Sequence, residues 1–352
     1  MKIVVAGNGM VGYKCCEKLI ASSRSHQLQI TVFGEEPRPA YDRVHLSEFF
    51  SGKSADALSM APLQWYADNN ITVHLGDPVI RINRETKTIE SHQGKIISYD
   101  VLVLATGSAA FVPPIPGVEK NGVFIYRTID DLELMTAWSK KVKKGAVIGG
   151  GLLGLEAAKA MIDLGVTDTS VIEFAPRLMP RQIDETGSNL LKEKLECLGL
   201  KILTNKNTSA IIGDDSISGM LFSDEASIDV DMLVISAGIK PRDELAKAAG
   251  LETGPRGGIV VNEKMQTSDP DIYAIGECAL YNGMIYGLVA PGYEMAQVVV
   301  DHLTNGDRSF TGFDMSTKLK LIGVDVASFG DPFAQGNGIK TVAITDSNKG
   351  IY

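Results

Sequence analysis

Two sets of three glycines carry the clearest chemistry in the sequence. Gly7, Gly9 and Gly12 stand in GNGMVG, Gly149, Gly151 and Gly154 stand in GGGLLG, and both sets follow the spacing G-x-G-x-x-G. That spacing suits a pyrophosphate: the first glycine makes a tight turn, the second lets backbone approach the phosphates, and the third lets a helix pack closely on a strand. The free N–H groups and dipole at the start of the helix then hold the anion. Glu35 and Glu173 follow the two motifs at the ends of the next apolar runs. A carboxylate there can accept both hydroxyl protons of a ribose diol and would repel a 2′-phosphate. A bare glycine pattern is often an ordinary α/β turn, but the strand before it, the helix after it and the following acid together make each copy a dinucleotide site.

The flanking residues have to supply those elements. Short apolar strands are expected at Ile3 to Ala6 and Ala146 to Ile148, helices through Ile20 and to Leu164, and second strands from Ile30 to Phe33 and up to Glu173. Later strands in YDVLVLATGS and VDMLVISAGIKP end at Gly107 and Gly238. Shorter β-rich stretches are expected from Thr72 to Asn83 with Thr88 to Ile97, and from Lys201 to Leu203 with Ala210 to Phe222. LLKEKLECLGLKI reads as an amphipathic helix turning into a core strand. One unit therefore occurs twice in an α/β chain. Two dinucleotide sites belong together chemically when one holds a flavin and the other a nicotinamide, because one gives hydride and the other takes it.

Bulk properties narrow the class. A chain of 352 residues predicts two or three domains, and 44% hydrophobic with 22% charged residues predicts ordinary folded domains rather than disorder. The net charge of -9, without a Lys/Arg cluster, argues against nucleic acid as a partner. No uncharged apolar run approaches the roughly 18 residues of a membrane span, and the opening residues have no secretion-signal pattern. The expectation is a cytoplasmic protein with no membrane partner. Cys15, Cys16, Cys197 and Cys278 form no CxxC and no metal-ligand spacing, so neither a disulfide framework nor a metal site is expected. The five histidines give no metal pattern either, and His45 reads as structural or weakly polar, since a lone histidine needs a partner for catalysis.

Over nearly its whole length the sequence resembles the flavoproteins of the pyridine nucleotide-disulfide reductase superfamily. TSDPDIYAIGECA, residues 267 to 279, resembles their late motif, whose acid binds the flavin ribityl chain; here it is Glu277, where the family usually has Asp. The resemblance implies an α/β fold of the glutathione-reductase-like type with two nested Rossmann-like domains. The FAD domain would take residues 1–112 and 242–309, the NAD domain residues 113–241, and residues 310–352 would begin an α+β interface domain. FAD would meet Gly7, Gly9, Gly12, Glu35, Arg43, Val79, Ala105, Thr106, Gly107, Arg127, Gly276, Glu277 and Pro291. NADH would meet Gly149, Gly151, Leu152, Leu153, Gly154, Glu156, Glu173 and Gly238. Arg177 near Glu173 leaves NADPH as an alternative. Glu156 and Arg43 are the catalytic candidates: related reductases place a glutamate beside the nicotinamide at the first position, and Leu155, Ala157 and Ala158 suggest that this helix face is buried.

The redox partner is the deciding question. PAYDRVHLSEFF, residues 39 to 50, has no cysteine where the disulfide reductases carry their reactive one, which excludes thiol chemistry at the flavin; Cys15 and Cys16 read as packing residues. YDRxxLS instead resembles reductases that serve iron–sulfur proteins or rubredoxin. Those often have a lysine where Glu48 stands, and a tryptophan cap over the flavin, whereas the tryptophans here are Trp65 and Trp138. ITVFGEEPRPAYDRVHLS, residues 144 to 158 and 254 to 262, GLVAPGYEMAQV and STKLKLIGVDVASFGD more closely resemble the flavin module of the large subunits of NADH-dependent assimilatory nitrite reductases. That implies NADH + H⁺ + FAD giving NAD⁺ + FADH₂, with nicotinamide and flavin stacked about 3–3.5 Å apart. Electrons would then pass to iron–sulfur and sirohaem centres that reduce nitrite to ammonia. Four scattered cysteines cannot hold those centres. With IKTVAITDSNKGIY reading as a strand, a turn at Asp346 to Gly350 and two residues of a further strand, the expectation is an N-terminal fragment ending inside a third domain. A homodimer is a further expectation. The alternatives are a separate reductase for rubredoxin, ferredoxin or a nitrate reductase partner, and a flavoprotein that senses NADH.

Overall fold

Strand Lys2–Ala6 lies at the centre of a five-stranded parallel sheet, flanked on one side by Gln29–Phe33 and Ile71–His74 and on the other by Val101–Leu104 and Ile272–Ala274. This is a computed structural model, and it describes residues 1–22, 25–321, 324–330, 333, 338–340, 342, 344, 346 and 351–352. The chain divides into two compact units. The first comprises residues 1–46, 54–109 and 239–313, and the second residues 47–53, 110–238 and 314–352.

Continuous apolar runs such as IVVA and VLVL make these strands, because a parallel strand covered on both faces has no polar side to expose; Ile3 to Ala6 and Val101 to Leu104 are all buried. Helix Met10–Ile20 leaves the central strand through the first glycine turn and packs on helix Val289–Leu303. Cys15 and Cys16 are fully buried on the first of these helices, as packing residues should be. Pro291 sits in the first turn of the second, where its missing N–H leaves no helical bond unmade.

In the second unit strand Lys144–Ile148 has the same central place. Its neighbours are Asp168–Ile172 and Lys201–Leu203 on one side, and Met232–Ile235 and Val123–Ile125 on the other, all parallel. Helix Leu152–Asp163 follows the second glycine turn, with Leu155, Ala157 and Ala158 buried. Helix Glu185–Cys197 buries Leu191 and Leu195 and leads into Lys201–Leu203, as its periodicity predicts.

Each unit also carries a three-stranded antiparallel meander: Val79–Asn83, Thr88–Ser91 and Ile96–Ser98 in the first, Thr208–Ile212, Gly219–Phe222 and Ser227–Asp229 in the second. The second meander contributes Ile211, Met220 and Phe222 to one core with Ala146, Ile172 and Leu233 of the parallel sheet. The expected β stretch from Thr72 to Asn83 is two strands: Ile71–His74 edges the parallel sheet, and the chain then turns at Gly76, φ +63°, into the meander. Thr317–Leu321 pairs antiparallel with Val324–Ser328. The strand and turn expected at 339–350 lie largely outside the described residues, where Asp346 and Ile351 form an antiparallel bridge.

Candidate functional site

Within each unit the three glycines do three different jobs. Gly7 has φ +121°, and a side chain on it would run into the Ala105 carbonyl; a side chain on Gly12 would run into the carbonyl of Gly7. A Cβ on Gly9, by contrast, would meet nothing within 4 Å. Gly9 caps helix Met10–Ile20 with extended backbone and no side-chain hydrogen bond, leaving the first helical N–H groups for an outside acceptor. The second unit repeats each feature. Gly149, φ +117°, lies against the Ser236 carbonyl, Gly154 against that of Gly149, and Gly151 faces open space at the uncapped start of Leu152–Asp163. This is the cradle that a pyrophosphate needs, with bare backbone at the second glycine only.

In the first unit the turn gathers several of the other expected residues. Ala105 and Thr106 back onto Gly7, the Thr106 hydroxyl donates to the Arg242 carbonyl at 2.7 Å, and the Arg242 N–H donates to the Gly107 carbonyl at 3.0 Å. Arg242 also ion-pairs with Glu35. Glu277 accepts a 2.7 Å hydrogen bond from Ser108 Oγ, so the longer acid is engaged directly after this turn. Gly276, φ +77°, and Pro291's neighbour Gly292 both pack against Val11 of the glycine-motif helix. Arg43 ion-pairs with Glu36, stands 4.7 Å over the Tyr41 ring and donates its N–H to Met10 Sδ at 3.3 Å. Tyr41 donates to Glu36 as well, at 2.8 Å. Val79 opens the meander away from these hydrogen bonds. His45 is exposed and pairs with Asp42 at 2.7 Å.

In the second unit Glu173 directly follows strand Asp168–Ile172, and its carboxylate is held by two peptide groups: Oε2 accepts from the Gly150 N–H at 2.6 Å and Oε1 from the Ala175 N–H at 2.7 Å. Each oxygen keeps a lone pair for a ribose hydroxyl. Leu152, Leu153, Gly154 and Glu156 lie in the first turns of helix Leu152–Asp163, with Glu156 half-buried. Tyr126 is a neighbouring group, its phenol pushed up by burial and then by the Glu156 charge. Arg127 donates its N–H to Asp131 at 3.2 Å, within the capping box that starts helix Ile129–Ser139. Gly238, φ +116°, accepts from the Phe111 N–H at 2.9 Å.

Three participants escaped the sequence reading. The place that Glu173 holds in the second unit, where its N–H donates to Leu203, belongs in the first unit to Gly34, whose N–H donates to His74. Glu35 stands one residue later, with Glu36 beyond it. Glu36 is the more buried of the two and takes Arg43 and Tyr41; Glu35 takes Arg242. The run of two glutamates signalled Glu36, whereas Arg242 and Asn8, whose Oδ1 accepts from the Tyr66 hydroxyl at 3.0 Å, left no signal because their contacts are made across the fold.

Three of the four thiols, Cys15, Cys16 and Cys278, are buried. Burial pushes the Cys15 thiol up to about 12 and raises Cys16 and Cys278 as well, so none presents a thiolate at neutral pH. Among the described residues no group of three or more His, Cys, Asp or Glu is arranged to hold a metal ion, and no helix is long and apolar enough to cross a membrane.

Two parallel-sheet units, each with an open glycine cradle at its central strand, define a two-dinucleotide α/β oxidoreductase. Residues 1–302 match the family described as pyridine nucleotide-disulphide oxidoreductase, and the chain belongs to it. It is 48% identical over 354 residues to the nitrite reductase (NADH) large subunit of Escherichia coli K12, covering 100% of this chain and 42% of that protein. It is 39% identical to the assimilatory nitrate reductase electron transfer subunit of Bacillus subtilis 168, covering 100% of this chain and 45% of that one. The chain thus spans less than half the length of these relatives. Among solved structures, an NAD-dependent persulfide reductase from A. fulgidus superposes with a TM-score of 0.86 at 27% identity, over 93% of this chain and 63% of the other.

Proposed function

We propose that this chain is the NADH-oxidising flavin module of an assimilatory nitrite reductase. In this reading the first unit holds FAD and the second holds NADH. Residues 310–352 belong to an interface domain. The observation that carries it is the duplicated cradle: two helix starts whose second glycines, Gly9 and Gly151, alone face open space, joined to 48% identity with a nitrite reductase large subunit. When bound, FAD supplies a carrier that takes two electrons as hydride and releases them singly.

The chain's own residues bind and orient. Gly9 and Gly151 admit the two pyrophosphates, and the carboxylate of Glu173 accepts the adenosine ribose hydroxyls of NADH and disfavours a 2′-phosphate. Thr106, Gly107 and Glu277 line the FAD side, with Arg43 and Arg127 as further contacts, and Glu156 orients the nicotinamide. Iron–sulfur and sirohaem centres, which the scattered cysteines of this chain do not hold, would accept the electrons and supply the reduction of nitrite to ammonia. The similarity to a nitrate reductase electron transfer subunit supports a second reading with the same first half-reaction and a different acceptor. The test is anaerobic stopped-flow of the FAD-loaded protein mixed with NADH or NADPH, following flavin absorbance near 450 nm. Fast bleaching by NADH with slow bleaching by NADPH is expected; no bleaching with FAD bound would overturn the dehydrogenase reading.

A further inference from the structure

The two glycine turns differ at one position, and the difference points to a ligand contact. Between the first and second glycines the second unit has Gly150 and the first has Asn8. A Cβ on Gly150 would lie 3.0 Å from Glu173 Oε2 and 2.6 Å from Leu178 Cδ2, so a side chain at that position would enter the space held by the ribose acid. In the first unit the arrangement is exchanged. Gly34 takes the acid's place and has no side chain, and a Cβ on it would come within 3.1 Å of Asn8 Cβ. The Asn8 side chain therefore leaves the backbone beside the position from which the second unit projects its acid, Glu173.

That carboxamide is oriented and half satisfied. Asn8 is 9% exposed, and its Oδ1 accepts a 3.0 Å hydrogen bond from the hydroxyl of Tyr66, which is fully buried. With Tyr66 donating to Oδ1, the Nδ2 end of the amide faces away from the tyrosine. Asn8 Nδ2 is buried with no hydrogen-bond partner. A buried amide donor without a partner is costly, and a tyrosine that locks it in place is an arrangement that a ligand acceptor would complete.

We propose that Asn8 is an FAD-binding residue, donating through Nδ2 to an oxygen of the adenosine diphosphate half, with Tyr66 as the residue that positions it. This rests on the reading of the first unit as the FAD site. The donor adds to the helix-start N–H groups left free at Gly9, so the first unit presents a carboxamide beside its glycine turn where the second presents the Glu173 carboxylate.

The test is titration of the 352-residue apoprotein with FAD, following flavin fluorescence, for the wild type and for Asn8→Ala, Asn8→Asp and Tyr66→Phe. Asn8→Ala should raise the FAD Kd about ten- to a hundredfold, the loss expected for a hydrogen bond to an anion, with NADH binding unchanged and the apoprotein Tm unchanged or higher. Asn8→Asp should bind FAD poorly at pH 8 and recover as the pH falls and the new carboxylate protonates, a dependence the wild type lacks. Tyr66→Phe should weaken FAD by a smaller factor. Wild-type FAD affinity in Asn8→Ala would overturn the proposal, as would an Asn8→Asp protein whose affinity ignores pH; should Asn8→Ala not fold, the latter comparison decides. A wild-type protein that binds no FAD at all would instead remove the functional reading, and this inference with it.

Discussion

Gly154 stands so close to Gly149 that a methyl group on it would overlap the Gly149 carbonyl oxygen, and Gly12 stands in the same relation to Gly7. Gly151, three residues before Gly154, has nothing near it. Structural need and ligand need therefore fall on different glycines of one motif. Gly154→Ala should cost several kcal/mol, in the range of a severe overpacking change. Gly151→Ala, at φ −87°, should leave stability within about 0.5 kcal/mol while blocking the pyrophosphate. Thermal unfolding together with NADH fluorescence titration separates the two; a Gly151→Ala protein with wild-type NADH affinity would refute the cradle.

Glu173 is held by the Gly150 and Ala175 N–H groups, so its carboxylate is placed before any ligand arrives. Glu173→Ala should raise the NADH Kd about ten- to a hundredfold, the scale of a lost charged hydrogen bond, and move the NADH/NADPH preference toward parity. An unchanged ratio in paired titrations would count against its role as the ribose acid.

Cys15, Cys16 and Cys278 are buried with raised thiols, whereas Cys197 is exposed. Ellman's reagent at pH 8 should titrate Cys197 quickly in the native protein and the other three only on unfolding. Rapid reaction of more than one thiol would show that the buried cysteines are accessible to redox chemistry.

Asp131 closes the capping box of helix Ile129–Ser139, and burial raises its carboxyl above the usual carboxylate range. A raised carboxyl favours the protonated folded state: its contribution to stability is fully present below the unfolded pKa and is lost as pH rises through the folded value. Asp131→Asn keeps an acceptor for the cap and removes the titration. Urea unfolding of the two proteins from pH 3.5 to 7 should show the variant gaining relative to wild type as pH rises. A constant difference would exclude Asp131 as the source.

Much of this was legible because the motif is local. Gly7, Gly9 and Gly12 declare a strand, turn and helix through spacing alone, and the repetition at Gly149 declares the second unit. Periodicity found the helix over LLKEKLEC but misread Thr72 to Asn83 as one stretch, since two strands of opposite allegiance can share one run of β-forming residues when only the four-residue turn LGDP separates them. Contacts across the fold were not legible. Nothing in KPRDEL says that Arg242 reaches Glu35, and nothing in GNG says that a tyrosine from another segment will hold the Asn8 amide.

The exchange of side chains between Asn8 with Gly34 and Gly150 with Glu173 also bears on how two copies of one unit can diverge. A glutamate at position 34 would crowd Asn8, and an asparagine at position 150 would collide with Glu173 and Leu178. Neither half can acquire the other's arrangement by one substitution; both members of a pair must change together. Recombination between the duplicated segments, which joins the turn of one to the second strand of the other, would yield either two colliding side chains or two glycines and an empty corner. Either product would lose the packing that each unit shows at this corner of its glycine turn.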